Sequence, residues 1–191
     1  MMTDNPAAAG VVRRLHSRID VVSYDLRWPD AFEKAAAEVR EALGAHLLAI
    51  HHIGSTSVPG LQAKPVIDIL AVVVDVNAVD ARAPQMRVLG YQVMGEFGIE
   101  GRRYFRRDDS VGKRTHQIHA FVDGSPHVTR HLAFRDFMRA RPDLASQYGD
   151  LKRQLAEAHP HDMDAYMDGK NGFITVMQAR ALEWVTSRDI G

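Results

Sequence analysis

A nine-residue apolar run constrains the fold of this chain more than any other feature of its sequence. Residues 66–74 read VIDILAVVV, which is rich in β-branched side chains and is interrupted only by Asp68. A run of this kind is typical of an interior β-strand that is covered on both faces. It is far shorter than the ~20 apolar residues that a helix needs to cross a bilayer. The chain therefore predicts a sheet with packed layers on both sides.

The other segments alternate between helix and strand up to about residue 125 and are helical after it. Pro29 and the spacing of the apolar residues after it predict a helix from Trp28 to Leu43, ended by Gly44. Further strands are expected at 46–53, 91–94, 102–107 and 114–122. Further helices are expected at 78–89 (capped by Asn77), 126–140, 142–159 and 162–187. This order predicts an α+β fold, with a mixed β-sheet, flanking helices and a helical C-terminal portion.

A single domain is expected, since the 191 residues contain no internal repeat and no low-complexity linker. We place it at residues 19–191, with the sheet core at about 19–124 and the helical part at about 125–188. Residues 1–18 lack sustained periodicity, so we expect them to form a mobile N-terminal arm.

The composition excludes several classes of function. The chain has no cysteine, which excludes a disulfide scaffold, a thiolate zinc site and a cysteine nucleophile. Its 24 basic and 24 acidic residues balance, which argues against a generic nucleic-acid or membrane-surface binder. The first ten residues, MMTDNPAAAG, lack the basic-then-apolar order of a secretory signal, so we expect a cytoplasmic location. The sequence does not indicate an oligomeric state.

The segment GSTSVPG at 54–60 is the first candidate binding element. Gly54 lets the backbone approach a ligand closely, while Ser55, Thr56 and Ser57 can offer hydroxyl and amide groups to phosphate oxygens. The segment is not a Walker A loop, because its nearest lysine, Lys64, comes too late for the Gly-Lys-Ser/Thr motif. We therefore expect a phosphate-binding loop of another kind, with Lys64 as an additional candidate.

Asp68 is the second candidate, because a carboxylate in an apolar strand is costly to ionise without donors or a cation. In one interpretation it binds Mg²⁺ or a similar hard cation beside a phosphate. In the other it accepts backbone N–H groups from the 54–62 loop and only holds that loop in place. The sequence favours neither interpretation.

Basic residues supply further candidates. Six of them occur between residues 102 and 114, and they form either a solvated hairpin face or a positive rim for an anionic ligand, with Arg106 as a candidate contact. In that hairpin Arg102, Tyr104 and Arg106 share one face, and the sequence does not say which face lines a pocket. Lys170 lies within an apolar stripe of the last helix, where its stem either extends to the surface or its ammonium group meets a buried partner.

The histidines of the strand at 114–122 point in different directions if that strand is regular. His116 and His119 are an odd number of residues apart and so lie on opposite faces, as do His51 and His52. Each of these four histidines, considered by itself, is expected to be a hydrogen-bonded residue of the sheet.

The stretch IGSTSVPGL-x-AKP-x-IDI resembles the signature of the GrpB family (UPF0157), which is assigned to the nucleotidyltransferase superfamily. The resemblance continues over about residues 20–185. It includes Tyr24-Asp25, Trp28-Pro29, Arg103-Tyr104-Phe105, His116-Gln117-Ile118-His119, the segment 134–139, Tyr148 with Leu151-Lys152, and Tyr166 with Gly169-Lys170 and Phe173.

The resemblance implies a mixed sheet whose first two strands frame a Gly-Ser phosphate loop. Active members of the superfamily add an Asp-hydrophobic-Asp/Glu motif and a third carboxylate, which hold two magnesium ions for nucleotidyl transfer. Gly54 and Ser55 match the loop and Asp68 matches the first carboxylate. Leu70 occupies the second position. Where the third carboxylate would stand, the later strand offers Gln117 and His119 on one face.

From this resemblance we expect a nucleotide or another phosphorylated small molecule as ligand, with Mg²⁺ or Mn²⁺ held by Asp68 and His119. Lys170 would neutralise phosphate charge, so Asp68, His119 and Lys170 are the candidate catalytic residues. Metal-dependent nucleotidyl transfer is one hypothesis. The alternative is a catalytically degenerate nucleotide- or cofactor-binding regulatory module. Relatives fused to dephospho-coenzyme A kinase connect that module to coenzyme A metabolism. A third hypothesis is an interaction protein that binds no nucleotide.

Overall fold

One mixed sheet organises the computed structural model, which describes residues 18–189. The strands in this part of the chain are β1 (Leu47–Ile53), β2 (Ile67–Val73), β3 (Gln92–Val93), β4 (Arg103–Asp108) and β5 (Arg114–Val122). Their spatial order is β1-β2-β5-β4-β3, in which β2 and β5 are parallel and all other neighbours are antiparallel. This confirms the α+β class and the mixed sheet.

The helices occur where the sequence predicts them, with one exception. They are α1 (Trp28–Leu43), α2 (Val76–Ala81), α3 (Ala83–Val88), α4 (Pro126–Ala140), α5 (Pro142–Ala158) and α6 (Met163–Asp189). In α1, Pro29 lies in the first turn, the apolar stripe is buried, and Gly44 ends the helix with a φ of 56°. Among the described residues, no helix is both long enough and apolar enough to cross a membrane.

The exception is the segment predicted as one helix over 78–89, which forms the two short helices α2 and α3. Pro84 explains the break, because proline lacks the N–H that would continue the hydrogen-bond ladder of α2. The predicted cap at Asn77 is also wrong. The Asp75 side chain caps α2 by accepting a hydrogen bond from the Asn77 backbone N–H at 3.0 Å.

Strand β2 is covered on both faces, as its apolar sequence predicts. Ile69 and Ala71 pack into a core that includes Val39 of α1 and Met86 of α3. On the opposite face, Leu70 packs with apolar residues of β1, β5 and α4. The sheet is therefore a middle layer between α1 and α3 on one side and α4 on the other.

The helical C-terminal part has its own apolar cluster, and the 54–60 segment contributes to it. Phe137 of α4, Tyr148 of α5 and Met177 of α6 pack together with Val58 and Leu61. The loop between β1 and β2 is therefore held between the sheet and the C-terminal helices. Residues 1–17 of the predicted mobile arm lie outside the described residues.

Candidate functional site

The Asp68 carboxylate and the Gly54 backbone are in direct contact. Asp68 pairs with Ile53 across β1 and β2, so Gly54 follows directly beyond its cross-strand partner. Gly54 has a φ of 69°. A Cβ atom added to it would overlap the Asp68 carboxylate and lie 2.9 Å from the Asp68 Cβ. Glycine is therefore required here for two reasons, its left-handed backbone and the space that the carboxylate occupies.

Cationic side chains from three separate parts of the chain surround this carboxylate. Lys64 precedes β2, Lys152 is on α5 and Lys170 is on α6, and all three interact electrostatically with Asp68. We call these three residues the lysine cluster. Arg114, at the start of β5, also acts on Asp68, but it is paired with Asp108. The sheet and the C-terminal helices therefore meet at Asp68.

The lysine cluster is held in place mainly by neutral groups. Lys152 is 2% exposed, and its Nζ donates to the Gln62 carbonyl oxygen. The Nζ atoms of Lys64 and Lys170 lie 5.4 and 5.3 Å from the centre of the Tyr166 ring. Within residues 18–189, none of the three lysines forms an ion pair with a carboxylate close enough to be a salt bridge.

Burial shifts the pKa values of these groups toward their neutral forms. It raises the pKa of Asp68 to about 6, although the surrounding lysines act in the opposite direction. Burial, together with repulsion by the other lysines, lowers the pKa of Lys152 to about 7 and that of Lys170 to about 8. It also lowers the pKa of Lys64. The site therefore has more positive charge than its one carboxylate can balance, which suits an anionic ligand.

The Asp68 carboxylate receives no hydrogen bond from any described residue, although the backbone of Asp68 pairs within the sheet. The interpretation that it accepts backbone N–H groups from the 54–62 loop is therefore wrong for the part of the chain that the structure covers. The loop is held together by its own side chains instead. The Thr56 hydroxyl donates to the Val66 carbonyl at 3.0 Å and lies 3.0 Å from His52 Nε2, while the Ser57 hydroxyl donates to the Gly54 carbonyl at 2.6 Å.

These bonds divide the predicted phosphate-binding residues into two groups. The hydroxyl groups of Thr56 and Ser57 are buried and serve the loop conformation. Ser55 is half-buried, and no described residue binds its hydroxyl group. Among the three hydroxyl residues, Ser55 is the one whose side chain is available to a ligand.

His119 is on the same face of the sheet as Asp68 but does not contact it in the structure. It pairs with Leu70, and its Nδ1 lies 3.4 Å from the Arg102 guanidinium. Burial lowers the pKa of His119 to about 3, so its ring is neutral at pH 7. His116 points to the opposite face, toward Arg107 at 3.2 Å, which agrees with the expected alternation along β5.

The residues around Asp68 do not fit a resident divalent metal. The described residues contain no group of three or more His, Asp or Glu side chains that could hold a metal ion. Leu70, at the second carboxylate position, is fully buried, and Gln117, in register with Asp68, offers an amide. The lysine cluster would repel a bare cation. A metal on Asp68 and His119 therefore stays a prediction that this donor set does not favour.

The structure also places the remaining candidates. Arg106 is on β4, opposite Gln117, and its Nε donates to the Gln92 side chain at 2.8 Å. It is thus two strands away from Asp68 in the same row of the sheet. Tyr104 shares that face, and its hydroxyl accepts from Arg114 at 3.3 Å. This face of the hairpin, and not the one with Arg103, is the one directed toward the site.

Lys152 is the site residue that the sequence reasoning missed. It lies in the buried stripe of α5 that contains Ala145, Tyr148 and Ala156. This is the same signal, a lysine within an apolar helical stripe, that singled out Lys170. The same criterion, applied to α5 as well as to α6, identifies Lys152 together with Lys170.

Comparison with known proteins gives a consistent assignment. The family model described as GrpB protein matches residues 18–180. The UPF0157 protein YqkA of Bacillus subtilis is 40% identical over 172 residues, which are 90% of this chain and 50% of YqkA, so the chain spans half the length of that relative. The crystal structure of conserved protein GrpB from Enterococcus faecalis matches with a TM-score of 0.83 and 42% identity, over 87% of this chain and 99% of that one.

A further relative carries the name of an enzyme. A dephospho-CoA kinase of Mycolicibacterium paratuberculosis is 28% identical over 192 residues, which cover 88% of this chain and 47% of the kinase. The similarity is therefore confined to about half of that longer protein.

The contact between Gly54 and Asp68 predicts different effects for two glycine substitutions. Gly54→Ala should destabilise the fold by about 2–4 kcal/mol, because it combines left-handed strain with overlap against the carboxylate. Gly60→Ala is the control, since Gly60 has a φ of 78° but open space around it, and should cost only about 1–2 kcal/mol. Urea denaturation of both variants measures the difference. Equal losses would show that the carboxylate contact is unimportant.

The histidines predict a loss of stability in mild acid. Burial lowers the pKa of His52 and His116 to about 4 and that of His119 and His131 to about 3. The unfolded chain takes up protons at its histidines near pH 6.5, whereas the folded chain does not, so stability is fully present above that pH and falls below it. Each histidine should contribute up to about 1.4 kcal/mol per pH unit between pH 6 and 4.5. Asp68, with its raised pKa, acts in the opposite direction. A melting temperature that stays constant from pH 7 to 5 would contradict this expectation.

Proposed function

This chain belongs to the GrpB family, and we propose that it binds a phosphate-bearing small molecule of the nucleotide type between its sheet and its C-terminal helices. One observation carries the proposal. Lys64, Lys152 and Lys170 converge on a single carboxylate, and no described residue gives any of them a salt-bridge partner. A phosphate group would supply the missing negative charge and accept hydrogen bonds from the ammonium groups. The backbone of Gly54 contacts the same carboxylate, and the half-buried hydroxyl group of the next residue, Ser55, has no partner among the described residues.

The kinase relative narrows the choice of ligands to be tested. Its name refers to dephospho-CoA, a molecule that contains an adenine nucleotide and a diphosphate. We therefore propose adenine nucleotides and coenzyme A precursors as the first ligand class. The lysine cluster supports the wider class of phosphorylated small molecules, and these two ligand types belong to that class.

Binding without turnover is the form of this function that the geometry favours. Transfer of a nucleotidyl group would require an acceptor hydroxyl to attack the α-phosphorus while pyrophosphate leaves, with charge neutralised on both oxygens. Leu70 is fully buried where the second metal ligand of such a site would stand. Nucleotidyl transfer is the second candidate. It is favoured by the contact between the Gly54 backbone and the Asp68 carboxylate, which agrees with the superfamily motif that the sequence resembles.

A divalent metal is expected at this site only when it is bound to the ligand. Three lysines disfavour a bare cation beside Asp68, but a cation already chelated by a di- or triphosphate arrives as part of an anion. We therefore expect phosphate binding to persist in a chelator, and Mg²⁺ to change the affinity without being required for it.

The primary test compares a lysine of the cluster with an exposed lysine. Thermal-shift titrations should use ATP, dephospho-coenzyme A and pyrophosphate, each with Mg²⁺ and with EDTA. We expect a raised melting temperature for at least one of them, since ligand at 100 times its Kd stabilises by about 2.7 kcal/mol. Lys170→Gln should weaken that ligand about 10- to 100-fold through loss of a charge-assisted contact.

Lys34→Gln provides the matched control, because Lys34 is exposed on α1 away from the site. It removes the same charge and should leave the response unchanged. Lys170→Gln should also make the ligand-free protein more stable, since it removes a charge that is disfavoured by burial and by repulsion from Lys64. No shift with any of the ligands, or equal responses in the two variants, would contradict the proposal and favour an interaction protein that binds no nucleotide.

The lysine pKa values predict that phosphate binding takes up protons near pH 8. At that pH Lys152, with a pKa of about 7, is mostly neutral and Lys170 is half protonated. An anion raises both values, so protons are bound on association and the affinity falls as the pH rises from 7 to 9. Calorimetry in buffers of different ionisation enthalpy measures the uptake. Binding with no proton uptake at pH 8 would place the ligand away from the lysine cluster.

Restoring a carboxylate separates binding from transfer. Leu70→Asp would introduce a charge into the apolar cluster of Leu70, Val72 and Phe121, and should cost several kcal/mol without creating activity. Leu70→Asn is the uncharged control. The measurements are the melting temperature and pyrophosphate release from ATP with Mg²⁺. A folded Leu70→Asp protein that releases pyrophosphate would identify the natural site as a degenerate transferase.

A further inference from the structure

A second basic cluster lies on the same face of the sheet as Asp68, nearer to the carboxyl end of β5. It consists of Arg102, His119, His127, Arg130 and His131, which we call the arginine–histidine cluster. We propose that this cluster is an oxyanion site that binds a phosphate group, separate from the one that the lysine cluster binds. The inference stands on its own contacts and does not depend on the first site being occupied.

The guanidinium of Arg130 contacts only histidine rings among the described residues. Its NH2 group lies 3.4 Å from His127 Nδ1 and 3.3 Å from His131 Nε2. It is half-buried, and no Asp or Glu of residues 18–189 pairs with it. A half-buried guanidinium without a counter-charge loses part of its hydration without compensation, so the site gains from an anion.

Arg102 adds a second charge in a fixed position. It is 6% exposed, and its guanidinium donates to the backbone carbonyls of Glu96 at 3.1 Å and Phe97 at 2.7 Å. These bonds orient the group but leave its charge without a carboxylate in the described part of the chain. By contrast, the next residue, Arg103 at the start of β4, is paired with Asp80 at 2.7 Å.

The histidine rings can supply N–H donors, and their contacts with the guanidinium groups indicate which ring nitrogen carries the proton. A ring nitrogen that accepts from a guanidinium carries no proton, so the other nitrogen of the same neutral ring carries it. By this rule His119 and His127 present Nε2–H groups, and His131 presents an Nδ1–H group. Burial lowers the pKa of all three rings, which keeps them neutral at pH 7. Two guanidiniums and three imidazole N–H groups match the charge and the acceptor capacity of a phosphate dianion.

Tyr104 separates this cluster from the lysine cluster. Its ring centre lies 4.8 Å from the Arg102 guanidinium carbon, while its hydroxyl accepts from Arg114 on the side of Asp68. The row of the sheet that contains Leu70 and His119 is one step from the row that contains Asp68 and Gln117, or about 7 Å along the strand. The two sites are thus adjacent but distinct. A free phosphate ion and a second phosphate group of a larger ligand share the chemistry that this site recognises.

The test follows the ring resonances of His119, His127 and His131 by NMR during titration with inorganic phosphate. We expect these resonances to shift saturably, and Arg130→Gln to weaken the effect at least tenfold. Arg130→Lys keeps the positive charge and should retain part of the response of the ring resonances to phosphate. Arg87→Gln is the matched control, because Arg87 is exposed on α3 and its side chain has no described partner. The proposal is overturned if the rings do not respond, or if Arg130→Gln and Arg87→Gln respond alike.

A second arm distinguishes the two sites and the two sources of phosphate. In Lys170→Gln, inorganic phosphate should still shift the three rings. Loss of their response in that variant would assign all binding to the lysine cluster and overturn the second site. Titration with ATP then identifies the source. Ring shifts at the same concentration that saturates the thermal shift would indicate one ligand spanning both clusters, whereas shifts with inorganic phosphate alone would indicate a free ion.

Discussion

The burial of the Asp68 carboxylate against the backbone of Gly54 is the contact on which the rest of the site depends. It joins β1, the loop after it and β2, because only a glycine at this position leaves space for the carboxylate. A buried carboxylate is unfavourable by itself, and its raised pKa shows that cost. The positive charges of the three lysines offset part of this cost, and the negative charge of Asp68 in turn stabilises the charged form of the lysines.

The lysines also explain how the two parts of the chain are coupled. Lys64 belongs to the sheet part, whereas Lys152 and Lys170 come from α5 and α6. Their mutual repulsion opposes the approach of helices and sheet, while the apolar cluster around Tyr148 favours it. An anion at the cluster would convert this repulsion into attraction. Binding of the proposed ligand would thereby be linked in energy to the packing of the helices on the sheet.

Local sequence rules were sufficient for most of the fold, because its elements obey periodicity and their ends carry glycine or proline. They failed at α2 and α3, where Pro84 breaks the helical periodicity. In the site, Asp68 and Lys170 could be recognised since each is a charged residue in an apolar pattern. The inward turn of Thr56 could not be recognised, because it depends on how β1 and β2 place His52 and the Val66 carbonyl on either side of the loop. Side-chain direction in a loop is determined by tertiary contacts that periodicity does not encode.

The charge distribution along one face of the sheet provides the strongest argument about chemistry. Lysines from the loop before β2 and from α5 and α6 act on Asp68 at one end of this face, and Arg102 lies beside His119 at the other. The described residues place one unpaired carboxylate among these cations. A two-metal transferase needs the opposite distribution, with several carboxylates that attract cations. The protein's own cations would neutralise phosphate charge directly, and this is the physical basis on which we propose a phosphate-bearing ligand for this face. In that proposal the Gly54–Asp68 contact would position the ligand, and its chemistry would differ from that of the superfamily motif that the sequence resembles.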